Sequence, residues 1–153
     1  MLKDWLSPLL CAGIVSGCAT IVERATPQEL RAAPGSSRAF ATARPYDAAY
    51  RKTLEQMKSC YERKLGLFGS SQTTVFGDKS ALEAHVSLAL STMFGYKVFA
   101  TIVLAGQPDG TAVTLYSAGD KPPIGLEATL KNWLDADAMG CPGDAGFNDT
   151  LNK

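Results

Sequence analysis

The clearest periodicity in the chain begins after Pro45, where Tyr46, Tyr50, Leu54, Met57 and Tyr61 recur at helical spacing, with Lys52, Glu55 and Lys58 between them. That pattern predicts an amphipathic helix with one face on a core, and Pro45 suits its first turn. Cys60 falls at its C-terminal end, and the tyrosine stripe reads as core with hydroxyls at the rim. The pattern then shortens to period two. Tyr61 to Phe68 and Thr73 to Phe76 read as short strands around the turn Gly69-Ser70-Ser71. Next, Leu82, Ala84, Val86, Leu88 and Leu90 alternate with Glu83, His85, Ser87, Ala89 and Ser91, as in a strand with one buried and one solvated face. Tyr96 to Leu104 is a strand apolar on both sides, and Gly106-Gln107-Pro108-Asp109-Gly110 turns it into Thr111 to Ser117. Lys121-Pro122-Pro123 stops the sheet. Leu126, Leu130, Trp133 and Leu134 mark a second amphipathic helix, which Gly140 ends just before Cys141.

The order helix, four to five antiparallel strands, helix predicts an α+β domain over residues 46–142, a two-layer sandwich with both helices on one sheet face. A polar tail follows over 143–153. Ahead of the domain, Ala19 to Pro45 carries Pro27, Pro34-Gly35-Ser36-Ser37, many alanines and few large apolar side chains. Residues 18–45 therefore read as a flexible tether, spanning roughly 30 Å as a coil and at most about 90 Å extended. A helix around Gln28 to Ala33 has too little apolar surface to dock firmly.

Before the tether, Lys3, an apolar run from Leu9 to Val15 and then small residues follow the order of a secretory signal. Val15-Ser16-Gly17-Cys18 resembles a lipobox. The resemblance implies cleavage after residue 17 and a signal peptide over 1–17. It also implies attachment of diacylglycerol and a further fatty chain, such as palmitate, to Cys18. Burial of acyl chains at about 0.8 kcal/mol per methylene makes such an anchor stable. The apolar run is too short and interrupted to span a bilayer, which takes roughly 20 residues. The competing reading is a buried N-terminal helix holding Cys11 and Cys18. Ala19 and Thr20 follow the cysteine, with no aspartate. In this the chain is similar to lipoproteins of the outer membrane, which implies a lipid-anchored head facing the periplasm, or exposed at the cell surface.

Charge and cysteine usage narrow the function. Lys plus Arg and Asp plus Glu are 15 each and interspersed, which excludes the clustered basic field that nucleic-acid binding requires. Of the four cysteines, Cys11 leaves with the signal and Cys18 takes lipid, so Cys60 and Cys141 remain as an even pair in an oxidising compartment. They are expected to form a disulfide that closes a loop of about 80 residues for roughly 4 kcal/mol; two free buried thiols are the alternative. No C-x-x-C or paired-histidine spacing is present, and His85 is the single histidine, so no metal or cofactor is expected.

Catalytic chemistry is thin. Glu83, His85 and Ser87 lie in a row on one strand face, without an oxyanion hole, and Gly66-x-x-Gly69 lacks the lysine of a phosphate loop. No catalytic residue is assigned and no enzyme is expected. If Leu82, Val86, Tyr96, Val98, Ile102, Val113 and Leu115 point to the helices, the opposite face displays His85, Phe99, Thr101, Val103, Thr114 and Tyr116. A mixed patch of this kind suits protein docking, with Phe99, Val103, Tyr116 and His85 as the partner-binding candidates. The alternatives are that exposed aromatics are ordinary, or that the tether or a second copy covers them.

With lipobox, tether, paired cysteines and tryptophan helix, the chain resembles small proteobacterial outer-membrane lipoproteins with a two-cysteine α+β domain. Its element order from Tyr46 to Cys141 is similar to the helix-grip domains of the lipoprotein subunit of the β-barrel assembly machine. The expected role is a non-catalytic accessory or adaptor that binds an envelope protein. The alternative is a small-molecule or lipid binder with a cavity between helices and sheet, contacted by Tyr46, Tyr50 or Trp133.

Overall fold

The computed structural model describes residues 26–65, 71–93, 95–120 and 125–143. In order, these form α1 (Pro27–Ala32), β1 (Ser36–Thr42), α2 (Tyr46–Tyr61), β2 (Arg63–Leu65), β3 (Ser71–Lys79), β4 (Glu83–Thr92), β5 (Gly95–Gln107), β6 (Gly110–Ser117) and α3 (Leu126–Asp135). The fold is α+β, with one open antiparallel sheet of six strands ordered β1-β6-β5-β4-β3-β2. β2 to β6 form a meander, and β1 closes on β6 from Ser36↔Ser117 to Thr42↔Thr111. The expected four to five strands are therefore six, and there is a third helix.

Two stretches of the expected tether are folded. Thr26 caps α1 by accepting from the Glu29 amide at 3.2 Å, with Pro27 at the first helical position. Leu30 then docks with no exposed surface, so one large apolar residue is enough where a pocket awaits it. β1 is a full edge strand. Its alanines, serines and threonine look like linker because its stability comes from the distant β6, which local hydropathy cannot register.

α2 matches its predicted span, with the face centre shifted. Ala49, Thr53, Gln56, Met57 and Cys60 are buried, while Tyr46, Tyr50, Leu54 and Tyr61 pack around them half-buried. From α3 come Leu126, Leu130, Trp133 and Leu134, and from the sheet Ala84, Val86, Leu88, Ala100, Ile102, Leu104, Val113 and Leu115. These make the main core. α3 stops at Asp135, ahead of the expected Gly140, because Asp137 takes the left-handed conformation at φ 54°. Ala136 and Ala138 both donate to the Asn132 carbonyl at 3.2 Å. The turn between β5 and β6 is the one expected, with Gln107 opposite Gly110. Gly110 has φ +148°, and a side-chain carbon there would sit 2.1 Å from the Thr42 carbonyl oxygen.

A break in the ladder sorts the core. Opposite Leu88 lies Ala100, but opposite Ala89 lies Val98, so Phe99 is an extra residue in β5. Such a bulge reverses which face the strand presents on either side of it. Ala100, Ile102 and Leu104 join the helix-side core, whereas Val98 packs with Leu30 on the other face. Strict alternation predicts Tyr96 and Val98 under the helices. Tyr96 is instead exposed, beside Phe76 with ring centroids 6.1 Å apart. Leu82, also expected inside, is 75% exposed in the turn before β4.

Cys60 and Cys141 form the expected disulfide, with α-carbons 5.2 Å apart and a separation of 81 residues. Cys141 lies beyond α3 rather than at its end, in a segment that is also hydrogen-bonded in place. Trp133 Nε1 donates to the Gly140 carbonyl at 2.9 Å, and the Gly140 amide donates to Gln56 Oε1 at 3.3 Å. Arg44 Nε caps α3 at the Leu134 carbonyl at 2.9 Å. Its Nη2 reaches Asp137 at 2.8 Å, and Lys52 Nζ lies 3.2 Å from the same oxygen.

Replacing both Cys60 and Cys141 with serine should lower unfolding free energy by about 2–5 kcal/mol, read by urea denaturation; the unsubstituted chain with reductant should match it. Gly110→Ala should cost about 2–3 kcal/mol through strained backbone and the Thr42 contact, by the same measurement.

Candidate docking surface

The sheet face away from α2 and α3 is built by alternate residues of β3 to β6 and by α1. Leu30 sits on Ala89 and Val98, with Phe76, Tyr116 and Ala118 around it. Ser87 Oγ and Thr101 Oγ1 are buried and bonded to each other at 3.0 Å, so the two hydroxyls partner one another. The solvated face expected for β4 is thus largely buried as well. Tether residues cover it, one of the alternatives the sequence left open.

Beside Leu30 lies a charged contact. Arg31 Nη1 is 3.1 Å from His85 Nε2 and 3.5 Å from Glu83 Oε1, and His85 Nε2 also meets Glu83 Oε1. His85 is therefore part of the seat of α1. In the row Glu83-His85-Ser87, His85 meets Glu83 and the Ser87 hydroxyl meets that of Thr101. Among the described residues, no group of three His, Cys, Asp or Glu side chains is placed to hold a metal ion.

The four partner-binding candidates divide. Tyr116 and His85 are held by α1. Phe99 is the half-buried bulge residue, whose carbonyl accepts from the Ala118 amide at 2.9 Å. Val103, half-buried between His85 of β4 and Thr114 of β6, stays on the open part of the face. Sequence reading missed Met93, 71% exposed at the β4–β5 hairpin with Tyr96 close by. A methionine and an aromatic flanking a glycine are the signal that could have marked it.

The residues expected to hold a small molecule are engaged elsewhere. Trp133 is fully buried, with its Nε1 bonded to Gly140. Tyr46 donates its hydroxyl to the Ser80 carbonyl at 2.8 Å, and burial raises its pKa. Lys79 lies 5.4 Å from the centre of the Tyr46 ring and 5.9 Å from that of Tyr50 while paired with Asp47. The hydrogen bond between them lifts the lysine pKa and lowers the carboxyl. An open hollow of about 360 Å³ lies elsewhere, lined by Thr42, Arg44, Pro45, Ala48 and Leu134 among others.

Leu30→Ala should cost about 2–3 kcal/mol, at the lower end for a buried leucine because so short a helix can peel away; thermal or urea denaturation reads it, and a loss below 0.5 kcal/mol, the range of ordinary surface substitutions, would mean that α1 does not dock. At the other end of the molecule, hydrogen bonds from Lys52 and Arg44 hold the Asp137 carboxyl below its ordinary value of 3.8. A depressed carboxylate stabilises fully above its unfolded value and loses that contribution as pH falls through the folded one. Asp137→Asn should therefore lower stability at pH 7 and make its fall below about pH 4 shallower, measured by thermal unfolding at stepped pH.

Compared with protein-family models, with curated proteins and with solved structures, the chain matches none.

Proposed function

We propose that this protein is a non-catalytic lipoprotein, anchored through Cys18 in the outer membrane with its head towards the periplasm, and that the head serves as a protein-binding accessory in the envelope. The observation that supports the docking role is the contrast between the two sides of the sheet. On the helix side, Leu126, Leu130, Trp133 and Met57 have no exposed surface, and the hollow of about 360 Å³ lies away from them, by Thr42, Ala48 and Leu134. On the other side, Val103 stays open next to the seat of α1, and Met93 and Tyr96 stand out at the hairpin. Exposed methionine and aromatic side chains with a polar surround are what protein interfaces favour.

The signal over 1–17, Cys18 and residues 144–153 of the expected tail lie outside the described residues, as does the Gly66–Gly69 segment. Among the described residues no helix is long and apolar enough to cross a membrane. With Thr26 capping α1, chain length alone puts a lipid on Cys18 at most about 30 Å from the head. A partner would meet the head near the membrane surface.

Cys18→Ser should move the protein from the membrane to the soluble fraction, and an unlipidated native N-terminus by mass spectrometry would refute the anchor. For docking, crosslinking and pull-down from native membranes should recover a partner that Tyr96→Ala or Val103→Asp weakens by about 2 kcal/mol or more, with thermal stability nearly unchanged. Undiminished recovery from both variants would place the contact elsewhere. Saturable binding of a small apolar probe, lost on substitution of Leu134 beside the hollow, would favour the ligand-binding reading.

A further inference from the structure

The sheet has two ends, and they differ. β2 is three residues long, and its Arg63-Lys64 pair makes it a poor template, in the way natural edges are blunted. β1 is seven residues long with one charge. The Ala118 amide bonds the Phe99 carbonyl, and antiparallel alternation from that point turns Ser117, Leu115, Val113 and Thr111 towards β1. Their partners Ser36, Arg38, Phe40 and Thr42 are thereby used. The amides and carbonyls of Ser37, Ala39 and Ala41 face outwards. In keeping with this, Arg38 Nη1 reaches back to the Ser37 carbonyl at 2.9 Å, while its Nε lies 3.8 Å from Glu127 Oε2 of α3. Among the described residues, no strand pairs with this edge.

From this edge we infer that β1 is a self-association surface whose occupant is β1 of a second copy, paired antiparallel about a two-fold axis at Ala39. Only the register centred on Ala39 uses all three outward residues of both strands: Ala39 bonds the second copy's Ala39, and Ser37 bonds the second copy's Ala41. The same register sets Arg38 opposite the second copy's Phe40 as a non-hydrogen-bonded pair, the closer kind, about 4.5 Å between α-carbons. Guanidinium and ring are complementary at that range, and the ring already takes a cation, Lys131 Nζ, 5.2 Å from its centroid. Arg38 leaves the Ser37 carbonyl, which the Ala41 amide takes over. Phe40 packs with the helix-side core, so Ser37, Ala39 and Ala41 put their side chains on the other face. All three are small, and the two strands can close without collision there. The occupant is specified by this self-complementarity: a strand of other sequence would find the hydrogen bonds but not the reciprocal arginine and ring.

The test is disulfide mapping in the full chain, under mild oxidation in its native membrane, with the unsubstituted chain as background. In the paired register the two Ala39 α-carbons are about 5.5 Å apart, inside disulfide range. Ala41 and its own copy lie four residues out of step, roughly 13 Å. Ala39→Cys should yield covalent dimer about five-fold or more above Ala41→Cys. Ser37→Cys and Ala41→Cys chains, mixed, should crosslink as Ala39→Cys does. By analytical ultracentrifugation in detergent the unsubstituted chain should sediment as a dimer, and Arg38→Glu should shift it to monomer. Ala39→Pro should do the same, since the amide it removes faces away from β6. Equal crosslinking from Ala39→Cys and Ala41→Cys, or a monomer at tens of micromolar, overturns the inference. So does a dimer that survives both Arg38→Glu and Ala39→Pro.

Discussion

The extra residue in β5 is the constraint on which the two-sided core depends. Without the bulge at Phe99, Val98 would share a face with Ala100 and Ile102, and Leu30 would lose the floor of its pocket. With it, one continuous strand feeds the helix-side core from its later half and the α1 seat from its earlier half. Burying a leucine contributes about 1.5–3 kcal/mol, enough to hold a six-residue helix whose own propagation cannot stabilise it. A local kink in one strand thus recruits a segment that composition alone consigns to linker.

The opposite face is held by a different chemistry. The chain after α3 is irregular, yet it is fastened to α2 by the Cys60–Cys141 bond and by the Gly140 contacts with Trp133 and Gln56. Arg44 ties that region to the β1–α2 connection, since its side chain caps α3 while its carbonyl accepts from Thr111 Oγ1 at 2.7 Å. N-terminal and C-terminal segments are therefore linked through one arginine. Of these bonds, the one from Arg44 Nε to the Leu134 carbonyl satisfies a group that the end of α3 leaves open.

Elements governed by short-range rules were legible in the sequence. α2 and α3 came from periodicity, the β5–β6 hairpin from its Pro-Asp-Gly turn, and the disulfide from cysteine arithmetic and compartment. What escaped depends on distant partners. β1 is a strand because β6 is there, and the bulge exists because two cores must be filled from one strand. α1 did leave a local trace. Thr26-Pro27-Gln28-Glu29 has the spacing of a capping box with proline at the first turn, but its weight is small beside the alanines and prolines around it. The structure places the docking candidates differently: Tyr116 and His85 lie against α1, Val103 is half-buried on the same face, and Met93 and Tyr96 are exposed at the hairpin on the near side of the bulge.

The central claim is that the chain from Thr26 to Thr42 belongs to the folded head and is not a leash. Native-state hydrogen exchange measures it directly at the amides of Arg38 and Phe40, which bond β6, against those of Ile102 and Leu104, which face β4 in the sheet interior. The account predicts protection at Arg38 and Phe40 of the same order as other paired edge amides, at least a hundredfold over the open chain. Exchange at the open-chain rate in an otherwise protected sheet would contradict it.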